Sequence, residues 1–251
     1  EPANSPDYDE CQRSVGQMAH DEQTGDGLLR NLMIRTSHSR GEAMAVIVIN
    51  GDLLPYGGQV AAKLTSVCPF LVSIYVNINK SRFNNILGDK FVLLSGEPYL
   101  EDSIGDAEFM ISPQSFFQVN PLQTLRLYEK AFELAKPKEG DVILDIYCGI
   151  GTIGIFFADK CRRIGAKLGG LLGIEYTVQA IRDARLNAER NGVLENAVFI
   201  AGDASRVLPS LCGPYQGDDS GFTDDIKAAT LECARELCKS SDIIILDPPR
   251  K

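Results

Sequence analysis

At 251 residues and 44% hydrophobic content, with 34 acidic against 25 basic side chains and a formal charge of -9, the chain has ample apolar material for a core. The acidic excess excludes a uniformly basic nucleic-acid binder, although a local basic patch stays open. The longest apolar runs, such as Ala43 to Ile49, fall far short of the ~20 residues that span a bilayer, and Glu1 to Gly16 is too polar for a signal peptide, so a soluble cytoplasmic protein is expected.

Residues 1 to about 27 show no helical or strand period and read as an arm or loop. Two strand-like stretches, 28–36 and 42–50, flank the turn-forming Ser37-His38-Ser39-Arg40-Gly41, which predicts a hairpin. Val60, Leu64 and Val67 share one face of a helix over 59–67, and 71–79 alternates like a half-buried strand. With further strands at 91–94 and 107–111, residues 1–112 are expected to form a small α+β domain with a mostly antiparallel sheet.

Pro113 and Asn120-Pro121 mark a change of character. Asn120 is placed to cap a helix that opens on Pro121, with Gln123 completing a capping box. This helix runs to about Lys136 and presents Leu125, Tyr128, Phe132 and Ala135 to a sheet. Strands at 142–147, 171–175, 197–201 and 242–247 then alternate with helices at 151–161, 178–191 and 224–238. Such alternation predicts parallel crossovers and a doubly wound α/β sheet over residues 113–251. Pro209 to Asp225 reads as a loop. The seven cysteines, at 11, 68, 148, 161, 212, 233 and 238, contain no C-x-x-C pair and no metal-ligand cluster, so reduced thiols and no metal are expected.

In a doubly wound sheet, ligands bind at the carboxyl ends of the strands, where glycines such as Gly149, Gly151 and Gly154 let the backbone approach closely. The glycine pattern alone also fits dinucleotide-binding dehydrogenases. Glu175, ending the second strand, can accept from both hydroxyls of an adenosine ribose, or is a solvated acid at a strand end. Asp203 can accept from an adenine amino group, or caps the turn at 204–207. Two carboxylates on successive strand ends suit a cofactor with ribose and adenine but no pyrophosphate, such as S-adenosylmethionine (SAM).

Three segments in order, Ser115-Phe116-Phe117-Gln118-Val119-Asn120-Pro121, Asp145-Ile146-Tyr147-Cys148-Gly149-Ile150-Gly151-Thr152 and Asp247-Pro248-Pro249-Arg250-Lys251, resemble the RNA uracil-C5 methyltransferase family, with the bacterial 23S ribosomal RNA enzymes as the nearest match. Gly27 to Arg35 is similar to the same family's central region. The resemblance implies a Rossmann-like class I SAM-dependent methyltransferase fold, cut short at its C-terminal side. It implies that Gln118, Tyr147, Glu175 and Asp247 hold SAM, joining Gly149, Gly151 and Asp203 of the strand-end crevice; Phe117 is assigned to RNA, Arg250 either meets RNA phosphate or sits in solvent, and Phe116 reads as core. It further implies that a cysteine thiolate adds to uracil C6, C5 attacks the methyl group, and a base removes the C5 proton. Both the nucleophile and that base are expected beyond Lys251, Cys148 being read as part of the cofactor loop. Neither the family's N-terminal OB-type module nor its four-cysteine iron-sulfur cluster finds support, since only Cys11 precedes Cys68. A nicotinamide-dependent oxidoreductase, an amino-group methyltransferase and a non-catalytic cofactor-binding fragment are the competing readings.

Overall fold

The structure, a computed structural model, describes residues 18–21, 23–82, 85–213, 222 and 228–248. The chain divides into two compact units, Glu1–Leu100 and Glu101–Lys251.

The first unit carries β1 (Leu29–Thr36), β2 (Ala43–Ile49), α1 (Gly57–Val67), β3 (Leu71–Ile78) and β4 (Lys90–Gly96) in one sheet of order β1-β2-β3-β4. The predicted hairpin is present as the antiparallel β1–β2 pair, and β3–β4 is also antiparallel. β2 and β3 instead run parallel, because α1 serves as the crossover between them. Ile47, Ile49, Ile74 and Val76 pack with Ala61, Val60 and Leu64 of α1. All seven residues of β2 are buried, which explains its unbroken apolar sequence.

The second unit opens with a hairpin, β5 (Leu100–Ile104) and β6 (Ala107–Ile111), followed by α2 (Pro121–Ala135). Then come β7 (Val142–Ile146), α3 (Thr152–Arg163), β8 (Gly170–Glu175), α4 (Val178–Arg190), β9 (Ala197–Ala201), α5 (Ala204–Cys212), α6 (Ala228–Lys239) and β10 (Ile243–Leu246). β7 to β10 form a parallel sheet of order β10-β7-β8-β9, as the alternation predicts. Leu144, Ile146, Leu172, Ile174 and Ile200 face α5 and α6 through Val207, Leu211 and Ala234.

Several expectations are corrected. The units meet at Leu100/Glu101 rather than 112/113, because side-chain amides of α4 and its cap hold β6 as a neighbouring strand would. Asn187 accepts from Met110 N–H at 2.7 Å and donates to its carbonyl, and Asn191 makes the same pair of bonds with Glu108. α2 packs on α3 through Tyr128–Phe156 and Phe132–Phe157 ring contacts, not on a sheet. Residues 204–212 form a helix although it contains Pro209, so the expected loop begins later; its remainder, 214–221 and 223–225, lies outside the described residues, as do the arm at 1–17 and Cys11. Cys212 and Cys238 form a disulfide, which overturns the expectation of reduced thiols for this pair, while Cys68, Cys148, Cys161 and Cys233 are free. Among the described residues no group of three or more metal-ligating side chains occurs, and no helix is long and apolar enough to cross a membrane.

Candidate functional site

The carboxyl ends of β7, β8, β9 and β10 lie side by side, and the loops leaving them carry most of the residues singled out from the sequence. Tyr147, directly after β7, adopts φ 66°, a left-handed conformation that a non-glycine residue holds only when its surroundings enforce it. Here the N–H groups of Tyr147 and Cys148 both donate to Ile174 O of β8, at 2.8 and 3.0 Å. That turn delivers Gly149 and Gly151, both at positive φ, with Gly151 at the N-cap of α3. A Cβ at Gly149 would meet nothing within 4 Å, so that glycine is required by backbone conformation rather than by crowding.

Glu175 ties two loops together. Its Oε2 accepts from Gly149 N–H at 3.3 Å and its Oε1 from Thr177 N–H at 2.9 Å, so each oxygen retains a free lone pair. Asp203, past the end of β9, is the N-cap of α5: its Oδ1 accepts from both the N–H and the hydroxyl of Ser205, at 2.9 and 2.7 Å. These bonds hold its carboxyl below the ordinary value. Asp247 follows β10, whose Leu246 pairs with Ile146, so it stands beside Tyr147 across the parallel pair. Pro248 is exposed, while Pro249, Arg250 and Lys251, and with them the expected RNA contact of Arg250, lie outside the described residues.

Gln118 and Phe117 sit in the segment between β6 and α2, which is anchored at both ends. On one side Ser115 Oγ donates to the fully buried Asp183 of α4 at 2.6 Å, and Gln179 Nε2 reaches the other oxygen of Asp183 at 3.0 Å. On the other side Asn120 caps α2 by accepting from Gln123 N–H, and Tyr128 OH lies 3.0 Å from Thr152 Oγ1 at the start of α3. Gln118 and Phe117 are half-buried, and the Phe117 ring lies 5.9 Å from Phe109. Phe116, expected in the core, is 69% exposed, as is its near neighbour Val119 at 95%.

Three residues that brace this crevice through hydrogen bonds escaped the sequence reading. Asp145, on the β7 face opposite to Leu144 and Ile146, is buried and accepts from Gly154 N–H in the first turn of α3 at 2.9 Å. Burial pushes its carboxyl up to about 7; the Gly154 bond opposes this, and the charges of Asp247 and Glu175 add to it. A Cβ on Gly154 would lie 2.9 Å from Asp145 Oδ2, so this carboxylate requires glycine there. Asp183 and Asn187 are the others. Both lie four apart on the inward stripe of α4 among Ala180, Ala184 and Ala188, and polar residues on an apolar helix face are a readable signal.

Cys148 lies in the same loop but is 6% exposed, and burial, with Asp145 and Glu175 nearby, raises its thiol well above the ordinary value. An enclosed thiol of this kind lacks the exposure and electropositive surroundings of reactive cysteines. A cavity of about 330 Å³ bordered by Lys167, Leu168, Gly170 and Leu171 lies at the opposite, amino-terminal end of β8 and takes no part in this arrangement.

Comparison with known proteins adds to this geometry. Residues 137–243 match the family described as Methyltransferase domain. An uncharacterized RNA methyltransferase of Oceanobacillus iheyensis is 39% identical over 236 residues, 94% of this chain and 45% of that protein. One from Caldanaerobacter subterraneus subsp. tengcongensis is 38% identical over 241 residues, 96% of this chain and 46% of its own length. The chain therefore spans about half the length of the curated relatives it matches. Among solved structures, the Pyrococcus abyssi tRNA (uracil-54, C5)-methyltransferase in complex with S-adenosyl-L-homocysteine superposes with a TM-score of 0.59 at 28% identity, covering 78% of this chain and 45% of that one. With a parallel β10-β7-β8-β9 sheet, helices crossing between its strands and a family match over 137–243, the second unit has the Rossmann-like α/β fold of class I methyltransferases.

Proposed function

We propose that this chain binds SAM at the carboxyl ends of β7 to β10 and belongs to an RNA methyltransferase that modifies C5 of a uridine, in 23S ribosomal RNA. The observation that carries the cofactor reading is the Glu175 carboxylate, fixed by the N–H groups of Gly149 and Thr177 with a lone pair on each oxygen left for vicinal ribose hydroxyls. Tyr147, Gly149 and Gly151 shape the loop that the cofactor would lie against, and Gln118 and Asp247 would flank it. Asp203 would accept from the adenine amino group through Oδ2, since Ser205 occupies Oδ1. The carboxylates of Glu175 and Asp247 give the crevice a negative field that suits a cationic sulfonium. Bound there, SAM supplies an electrophilic methyl group; Phe117 and Arg250 are the residues assigned to RNA.

Uridine C5 as the acceptor is supported by the likeness to the Pyrococcus abyssi enzyme and by the three ordered motifs. RNA as a substrate in turn implies work in the cytoplasm. Titration calorimetry tests the cofactor site: Glu175→Ala is expected to weaken SAM binding at least about tenfold, the loss of one charged hydrogen bond of ~1.5 to 3 kcal/mol. Unchanged affinity would remove Glu175 from the site, and a preference for NAD over SAM in the same titration would favour an oxidoreductase. Nucleoside analysis of RNA methylated by the whole protein decides between C5 and an exocyclic amino group.

A further inference from the structure

The first unit holds a second recess, of about 710 Å³, which the proposed cofactor site does not use. Arg30, Lys80 and Arg82 line it together with the amides of Asn31 and Asn85, and no carboxylate is among its described lining residues. In a chain of net charge -9, such a cationic concavity marks where an anion is favoured.

The side chains are set for one. Arg30 Nη1 donates to the carbonyls of Asn79 and Ser81 at 2.9 and 2.6 Å, which fixes the guanidinium against the turn that leaves β3. Its Nε is buried without a partner among the described residues, and so is Nδ1 of His20, which also lines the recess. A buried Arg30 N–H left unsatisfied is rare and points to a missing acceptor, to which His20 Nδ1 can also donate when it carries its proton. Among the described residues Lys80 pairs with Asp52, both being more than half exposed, and an exposed pair of this kind is worth ~0 to 1 kcal/mol, so its ammonium can turn to a stronger anion. A guanidinium, an ammonium and amides, with Ile86 the one large apolar side chain and no Phe, Tyr or Trp ring among the described lining residues, suit a phosphodiester and its ribose better than a base read by stacking.

We propose that this recess holds a backbone phosphate of single-stranded RNA and so positions the substrate strand irrespective of its sequence. The proposal rests on the RNA reading given above. The test uses the 251-residue chain, a labelled single-stranded RNA, and the variants Lys80→Ala, Arg82→Ala and their combination, all at exposed positions; Arg30 is left intact because of its main-chain bonds. The double variant is expected to lose about tenfold in RNA affinity, equally for oligonucleotides of different sequence. The slope of log affinity against log salt should fall by about 0.7, the contribution of one phosphate no longer neutralised on a single strand. SAM affinity, measured on the same samples, should stay at the parent value. Parent-like RNA affinity and salt slope in the double variant would overturn the proposal. So would calorimetric binding of inorganic phosphate that the double variant abolishes while RNA binding persists, which would assign the recess to a small free anion. If SAM fails to bind while the RNA effect is seen, the cofactor reading falls and this one stands.

Discussion

Asp183 offers the sharpest test of how the site is assembled. Its carboxylate is fully buried on α4 and accepts hydrogen bonds from Ser115 Oγ at 2.6 Å and from Gln179 Nε2 at 3.0 Å. The first of these ties down the segment that carries Phe117 and Gln118. In Asp183→Ala both bonds disappear, although Ser115 keeps its contact with Ser112 Oγ at 2.8 Å. Bonds to a charged acceptor are worth ~1.5 to 3 kcal/mol each, and the relief of burying a charge offsets part of that sum, which leaves a loss of about 3 kcal/mol. Asp183→Asn has the same shape and can keep one of the two bonds, so about half that loss is expected. Urea unfolding followed by circular dichroism reads both values. If Gln118 is positioned through this bond, SAM affinity of the folded alanine variant falls several-fold, with partial recovery in the asparagine variant. Should the alanine variant unfold at the parent's urea midpoint and bind SAM equally well, the anchoring argument is wrong.

The raised carboxyl of Asp145 predicts a pH dependence. The native state holds this proton up to about 7 whereas the ordinary value is 3.8, so stability falls as pH rises through this interval and levels off above it. The upper bound is about 4 kcal/mol, and Asp145→Asn, which still accepts from Gly154, should flatten the slope between pH 5 and 8 in denaturant titrations. A slope that the variant leaves unaltered would place the titration elsewhere. Gly173→Ala puts a Cβ 2.5 Å from a Phe199 ring carbon and 2.9 Å from Cys148 Sγ, and overpacking should cost about 1 to 3 kcal/mol. A melting temperature within a degree of the parent's would show that the β8–β9 core yields more easily than this. Cross-linking positions 26 apart stabilises by about 3 kcal/mol on chain entropy, so a phosphine reductant should lower the parent's melting point and leave Cys212→Ser unmoved. Equal response of both proteins would mean that the bond does not form in solution.

Much of the parallel sheet was legible because its strands are short apolar runs, one ended by Glu175 and another followed by Asp247, and its helices carry their own period, some with a side-chain cap. Asn120 is an example: its side chain accepts from Gln123 N–H at 3.1 Å, as the residue order suggests. What was missed has physical causes. β5 alternates correctly, but its central inward residue is Asp102, which hides the strand pattern. α5 was obscured by Pro209, which the helix tolerates at the loss of one backbone bond. The Cys212–Cys238 pairing depends on two helix ends meeting, which no spacing rule reveals. Between Phe116 and Phe117 the sequence offers no period to say which ring turns inward, and the structure turns in the second against Phe109. Glu175, Tyr147 and Asp247 were legible as strand-end positions, whereas Asp145 and Asp183 act on backbone and side chains that only the folded chain brings near them.

The amides of Asn187 and Asn191 also decide how the protein can be cut. Starting expression at Pro113, where the residue pattern changes, would delete the Glu108 and Met110 backbone groups that these two side chains engage. It would also strip Arg190 of its carboxylate partners Glu101 and Glu108. Two buried asparagines would then lose their strand partners and keep only the carbonyls of Ile150 and Asn187 as acceptors, and the helix that carries them would be first to fray. Dissection between Leu100 and Glu101 keeps those bonds and is the division at which the parallel-sheet unit keeps its own support.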